Sequence, residues 1–172
     1  LGSDTGRPGR AARSELALRN AMEDLMRQRL PGARMCHEMV MGEGRVRADL
    51  VAVGETHIAA VEVKGSYDDT MRLLHQIGMY QLCVPEVWMV VDKKHADDGH
   101  LIRHLLPSTG LILADGVTHL SFDWNSAERP ATFEIVAEPV PREPVPRMTL
   151  EMLWAAELRW VCQRMRIPVG AK

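Results

Sequence analysis

Arg47-Ala48-Asp49-Leu50-Val51-Ala52-Val53, then Gly54-Glu55, then Thr56-His57-Ile58-Ala59-Ala60-Val61-Glu62-Val63-Lys64-Gly65 is the stretch on which the fold turns. Two runs rich in Val and Ala flank a Gly-Glu pair, which reads as a β-hairpin with strands over 48–53 and 57–64. Side chains two apart on a strand share a face. Glu62 and Lys64 therefore point one way while Val61 and Val63 enter the other side. A two-residue loop at Gly54-Glu55 pairs Val53 with Thr56 and sets Asp49 opposite Ala60. Asp49 then becomes the diagonal, same-face neighbour of Glu62, about 7–8 Å away along the backbone.

Outward from the hairpin, Leu18, Met22, Leu25 and Met26 follow helical spacing. They predict a helix from Ser14, its cap, to about Leu30, stopped by Pro31-Gly32. Met35–Met41 reads as a strand. After Gly65-Ser66 a helix spans about Asp69 to Leu82, with Leu73, Ile77 and Tyr80 as its apolar centre and Pro85 ending it. Val87–Asp92 (VWMVVD) is a continuous apolar run, the mark of a strand buried on both faces. A helix over about His100–Leu106 and a strand over Leu111–Ala114 complete a βαβ unit. Parallel pairing beside an antiparallel hairpin implies an α/β (α+β) fold: a central mixed sheet flanked by helices.

His119–Trp124 and Thr132–Ala137 read as edge strands. Glu138–Arg147 (EPVPREPVPR) doubles a Pro-Val-Pro-Arg unit and predicts an extended strap. Thr149 is placed to cap a final helix to about Arg166, with Trp154, Leu158, Val161 and Met165 as its stripe. The domain reading is a tail or vector-derived remnant over 1–13, a core over 14–137, a Pro-rich strap over 138–148, and a C-terminal helix over 149–172 packed on the same domain.

Composition narrows the function. The chain of 172 residues, 46% hydrophobic and 26% charged, resembles an ordinary globular domain. No apolar run approaches the roughly 20 residues of a membrane span. No secretory signal is visible, and Cys36, Cys83 and Cys162 lack zinc spacing, so they read as buried, reduced thiols of a cytoplasmic protein. The net charge of -2 gives no global basic footprint for nucleic acid, although the first fifth of the chain is rich in Arg. No phosphate-cradling Gly-rich loop is present. His100 and His104 stand four apart but lack the Glu of a zincin helix.

The chemistry lies in the hairpin. Two carboxylates converging at Asp49 and Glu62 would repel unless a cation lay between them, and oxygen ligands of this kind suit Mg2+ or Mn2+. Lys64 beside them can orient a water and offset charge building on a phosphate. An isolated Glu-x-Lys is a weak signal, and a surface ion pair is the bland alternative. The matching parity of Asp49 and the glycine ending the strand strengthen the chemical reading. Glu15 heads the apolar stripe of the first helix. It either complements the helix dipole or faces inward. Tyr80 reads first as a core residue with a satisfied hydroxyl.

These residues resemble the PD-(D/E)XK nuclease superfamily. Asp49 matches its acid, Glu62-x-Lys64 its motif strand, and Gln76-x-x-x-Tyr80 its following helix. The resemblance spans about Glu15 to Asp92. Arg47–Val91 and the later Leu153-Trp154-x-x-Glu157-Leu158 further resemble a small bacterial and phage branch. Ala48 stands where the superfamily name has proline. The resemblance implies a restriction-endonuclease-like core, with Asp49, Glu62 and the Val63 carbonyl as ligands of Mg2+ or Mn2+, and with Glu15 supporting the metal. It implies Lys64 as the residue that positions the attacking water, and Gln76 as completing the site. The implied activity is hydrolysis of DNA phosphodiester bonds, as an endonuclease rather than an exonuclease. A homodimer or protein partner would supply targeting. The alternative is an inactive binding or assembly module on the same scaffold, in a phage, prophage or DNA-repair system.

Overall fold

The computed structural model describes residues 10–118, 129–153 and 155–166. Helix α1 (Arg10–Arg29) is followed by strands β1 (Arg34–Met41), β2 (Val46–Val53) and β3 (Ile58–Lys64), helix α2 (Leu73–Cys83) and strand β4 (Glu86–Asp92). Helix α3 (Ala96–Leu105), strands β5 (Gly110–Thr118) and β6 (Arg129–Ala137), and helices α4 (Pro146–Leu150) and α5 (Ala155–Arg164) complete the order. The six strands form one sheet in sequence order. β3, β4 and β5 run parallel, and the β1–β2, β2–β3 and β5–β6 pairs are antiparallel. This is the mixed sheet that the βαβ pattern implied.

The two faces of the sheet carry separate cores. On one, Leu18, Met22 and Met26 of α1 pack against Leu50, Val61, Trp88 and Ile112. On the other, Leu73, Ile77 and Tyr80 of α2 and Ile102 of α3 pack against Val51, Ala60, Met89 and Leu111. β4 lies between β3 and β5, and every one of its residues is buried, as its unbroken apolar run requires. Gly110 lets β5 approach the indole of Trp88: a Cβ there would stand 2.6 Å from the ring.

Several boundaries differ from the sequence expectations. α1 begins at Arg10, so Ser14 lies within the helix and does not cap it; the preceding Ala and Arg residues are good helix formers. α2 begins at Leu73 because Asp68 and Asp69 hydrogen-bond the backbone of Gly65 and Met71, keeping 65–72 in turns. The strap over 138–145 is tied down through Val140 N–H to Ser108 O, Arg142 N–H to Pro85 O and Val145 N–H to Leu82 O. It then enters α4 with Pro146 in the first helical turn. Thr149 does not cap the last helix. Its hydroxyl donates to Cys83 O at 2.7 Å, and α5 starts only at Ala155. None of the described side chains of α5 is buried, and Met165 of the expected stripe is exposed. Of the cysteines, only Cys83 is buried, and all three are free. The expected edge strand at 119–124 and Trp154 lie outside the described residues. No helix among the described residues is long and apolar enough to cross a membrane.

Candidate metal and phosphodiester site

The β2–β3 turn is longer than a two-residue loop. Gly54–His57 forms it, closed by a 2.8 Å bond from Gly54 N–H to His57 O, and Val53 pairs with Ile58. The register therefore moves by two residues and parity is kept. The last ladder pair is Leu50 with Val61; carried one residue further, the register sets Asp49 opposite Glu62 rather than diagonal to it.

β2 does not continue as a flat strand at that point. Val46 and Ala48 face the α2 side, Leu50 and Ala52 face the α1 side, and Val51 faces α2 again. The alternation slips by one residue at Asp49. Its neighbour on β1, Glu38, has φ 54, the left-handed region that a non-glycine residue rarely enters. Glu38 and Asp49 are the one pair missing from an otherwise continuous β1–β2 register. The kink frees the Asp49 side chain from either face. Its Oδ2 accepts the Val63 N–H at 2.7 Å. Strand N–H groups lie in the plane of the sheet, so this carboxylate sits in the β2–β3 seam.

Glu62 points to the α2 side and is 1% exposed. Its Oε1 accepts Lys64 Nζ at 2.8 Å and Gln76 Nε2 at 2.5 Å. Its Oε2 lies 2.6 Å from Tyr80 Oη, which is also 2.8 Å from Arg47 O. Tyr80 is thus both a fully buried core residue and a direct partner of Glu62. Burial and the Glu62 charge push its phenol upward, so it stays a neutral donor.

Burial, first, and the neighbouring Glu62 charge raise the Asp49 carboxyl to about 7, against the Val63 N–H and the charges of Lys64 and Arg19, which favour ionisation. An Asp49 carboxyl that resists ionisation beside a second acid is what a cation would relieve.

Glu15 is linked to Asp49 by a shared arginine. It is bound by Arg19 Nη2 at 2.5 Å, and the same nitrogen lies 3.1 Å from Glu38 Oε1 and 3.9 Å from Asp49 Oδ1. Glu38 also pairs with Arg47 Nε at 2.8 Å. Glu15 therefore reaches Asp49 through Arg19. Sequence reasoning missed Arg19 and Glu38. The one available signal was the i, i+4 spacing of Glu15 and Arg19, which ordinary surface helices share.

Asp49, Glu62 and the Val63 carbonyl are all hard oxygen donors, a set that fits Mg2+ or Mn2+. Among the described residues no three His, Cys, Asp or Glu side chains form a metal-holding group. An ion held here would keep several waters, as Mg2+ does by preference.

Over residues 10–119, nearly two thirds of its length, the chain matches the model of the family described as Bacteriophage P4 protein cII. The chain belongs to that family. The matched span runs from α1 into the residue after β5 and contains Glu15, Arg19, Glu38, Asp49, Glu62, Val63, Lys64, Gln76 and Tyr80. The matched span thus covers the whole candidate site of this chain, while β6, the strap, α4 and α5 lie beyond it. No curated protein is detectably similar to the chain in sequence.

Proposed function

We propose that this P4 cII family protein is a divalent-metal-dependent phosphodiesterase that cleaves DNA internally, on a restriction-endonuclease-like core of the PD-(D/E)XK type. One observation carries the reading. The Lys64 ammonium lies 2.8 Å from Glu62 on one face of β3, while Asp49 stands in the adjoining seam, coupled electrostatically to both.

Asp49, Glu62 and the Val63 carbonyl would hold the metal, while Glu15 would act only indirectly, by holding the Arg19 guanidinium that lies 3.9 Å from Asp49 Oδ1. When bound, the metal supplies Lewis-acid polarisation of the phosphate and a more acidic water. Lys64 donates to the attacking water and offsets charge on the phosphate oxygens. Gln76 and Tyr80 hold Glu62 in one rotamer, so Lys64 is aimed by a fixed partner. A bacteriophage protein in the family's name fits a phage or prophage setting. The test is incubation with supercoiled, linear, branched and single-stranded DNA in Mg2+ or Mn2+, with Lys64→Ala as control. Metal-dependent nicking absent from Lys64→Ala supports the reading.

A second reading has its own observation. Both Glu62 oxygens already have hydrogen-bond partners, and the Asp49 carboxyl is half-protonated near neutrality. Such a network is stable without metal and suits an inactive binding or assembly module. That reading predicts no Mg2+-dependent rise in melting temperature and no cleavage of any substrate.

A further inference from the structure

Lys64 is followed by an eight-residue connection, 65–72, to α2. Its first four residues form a doubly closed turn. Asp68 N–H donates to Gly65 O at 3.1 Å, and Gly65 N–H donates to Asp68 Oδ2 at 2.6 Å. Lys94 Nζ holds Ser66 O at 2.9 Å, and Thr70 Oγ1 donates to Asp98 Oδ2 at 2.7 Å. Asp69 accepts the Met71 N–H at 2.8 Å. The connection is fixed from both ends and from α3.

From this fixed backbone two large side chains face solvent. Tyr67 is 62% exposed at the third position of the turn, and Met71 is 87% exposed. The other tyrosine, Tyr80, is fully buried. An aromatic ring held out by a pinned turn is pre-organised for contact, because little conformational freedom remains to be lost. Tyr67 stands three residues beyond Lys64, so its Cα is within about 11 Å of that of the lysine. Asp68 and Asp69 each accept a backbone N–H of the connection, and Asp69, Arg72 and the ring are exposed on its outer edge. A net charge of -2 gives the molecule no broad attraction for phosphates, so any grip on nucleic acid must come from local contacts.

We infer that the exposed Tyr67 is a stacking platform for an unpaired base next to the phosphate held at Lys64, with the exposed Met71 on the same connection, and that the substrate strand is single-stranded or locally unpaired DNA. The inference rests on the proposed activity for the role of Lys64. Every base has a π-face, so the platform is indifferent to sequence, but a base paired within a duplex cannot reach it. Phe at position 67 preserves the platform and Ala removes it.

The experiment measures fluorescence-anisotropy binding of an end-labelled 20-nucleotide DNA strand, its duplex and the matching RNA strand. The proteins are wild type, Tyr67→Phe, Tyr67→Ala and Met71→Ala, with Ca2+ present to avoid turnover; KM and kcat are measured separately in Mg2+. The expected result is single-strand DNA binding stronger than duplex binding. Tyr67→Ala should weaken it roughly 5- to 100-fold and Tyr67→Phe should leave it near wild type. In turnover the loss appears in KM. Equal single-strand binding by wild type and Tyr67→Ala overturns the platform while leaving any nuclease activity standing. Tyr67-dependent binding without cleavage keeps the platform and removes the nuclease. Preference for duplex, Tyr67-dependent binding of RNA alone, or no binding of any strand overturns the inference.

Discussion

The carboxylate of Asp49 takes the backbone N–H of Val63 at 2.7 Å, in the place where a strand carbonyl would ordinarily complete the ladder. This bond joins the kink in β2 to the strand that carries Glu62 and Lys64. A side chain acting as a strand acceptor is also a side chain held in the sheet plane, beside the strand that carries Glu62.

Stability should respond to pH through Asp49. Its carboxyl titrates at about 7 in the folded protein against 3.8 for an unperturbed aspartate. Between these values the folded state binds more protons than the unfolded state, so stability falls as pH rises through the window. Metal-free melting temperature should therefore decline from about pH 4 to pH 7 more steeply in wild type than in Asp49→Asn. The asparagine keeps an acceptor for Val63 and loses the charge. Parallel melting curves for the two proteins across that range would sink the prediction. Saturating Mg2+ should flatten the wild-type decline if the cation offsets the paired charges.

The hairpin and the shared face of Glu62 and Lys64 were legible in the sequence, because strand alternation depends only on parity. A four-residue turn in place of two left parity untouched while moving every partner. The continuous burial of β4 was legible for a related reason: an apolar run leaves no face for water. The slip at Asp49 was not legible. It depends on Glu38 entering a left-handed conformation beside two arginines, and nothing local in Met35–Met41 announces it. Arg19 was hidden because an i, i+4 Glu–Arg pair on a helix is common, and only the tertiary approach of β1 and β2 gives it a role. The late start of α5 escaped because Thr149 caps well in principle, whereas α2 claims its hydroxyl.

Tyr80→Phe should cost about 1–3 kcal/mol of stability, since it removes the single hydroxyl proton within reach of the acceptors Glu62 Oε2 and Arg47 O. Cleavage at temperatures well below melting should fall far less than for Lys64→Ala, because the phenol only orients Glu62. Chemical denaturation and single-turnover cleavage measure the two effects. A Tyr80→Phe protein of wild-type stability would show that the hydroxyl is not a real constraint on Glu62.

Lys64→Ala should lower cleavage by about a hundred- to thousand-fold, the usual consequence of losing one electrostatic contact to a transition state. Metal affinity by calorimetric titration should stay the same or rise, since a positive charge beside the ligands is removed. Glu62→Ala should instead abolish both metal binding and cleavage. It should also lower metal-free stability, because Lys64, Gln76 and Tyr80 all donate to this one carboxylate. Relief of its repulsion with Asp49 acts in the opposite direction but replaces none of those three bonds. Equal cleavage by wild type and Lys64→Ala would remove the lysine from the chemistry while leaving the site's geometry intact.

Arg19 offers the sharpest separation of a metal site from a purely structural network. Its Nη2 faces Glu15, Glu38 and Asp49, and its Nε is buried without a hydrogen-bond partner. The arginine neutralises acids from α1, β1 and β2 while leaving one of its own donors unsatisfied. Arg19→Gln should lower metal-free stability by about 1–3 kcal/mol, because three part-buried carboxylates lose their shared cation. For a domain of this size that is a fall of several degrees in melting temperature. If Asp49 and Glu62 bind a divalent ion, the variant should recover more from Mg2+ than wild type does, since the added charge now replaces the missing guanidinium. Melting temperatures at graded Mg2+ concentrations decide the matter. A deficit in Arg19→Gln that Mg2+ leaves unchanged would mean that the acids form a closed ion-pair network with no place for a metal, which is the inactive-module reading.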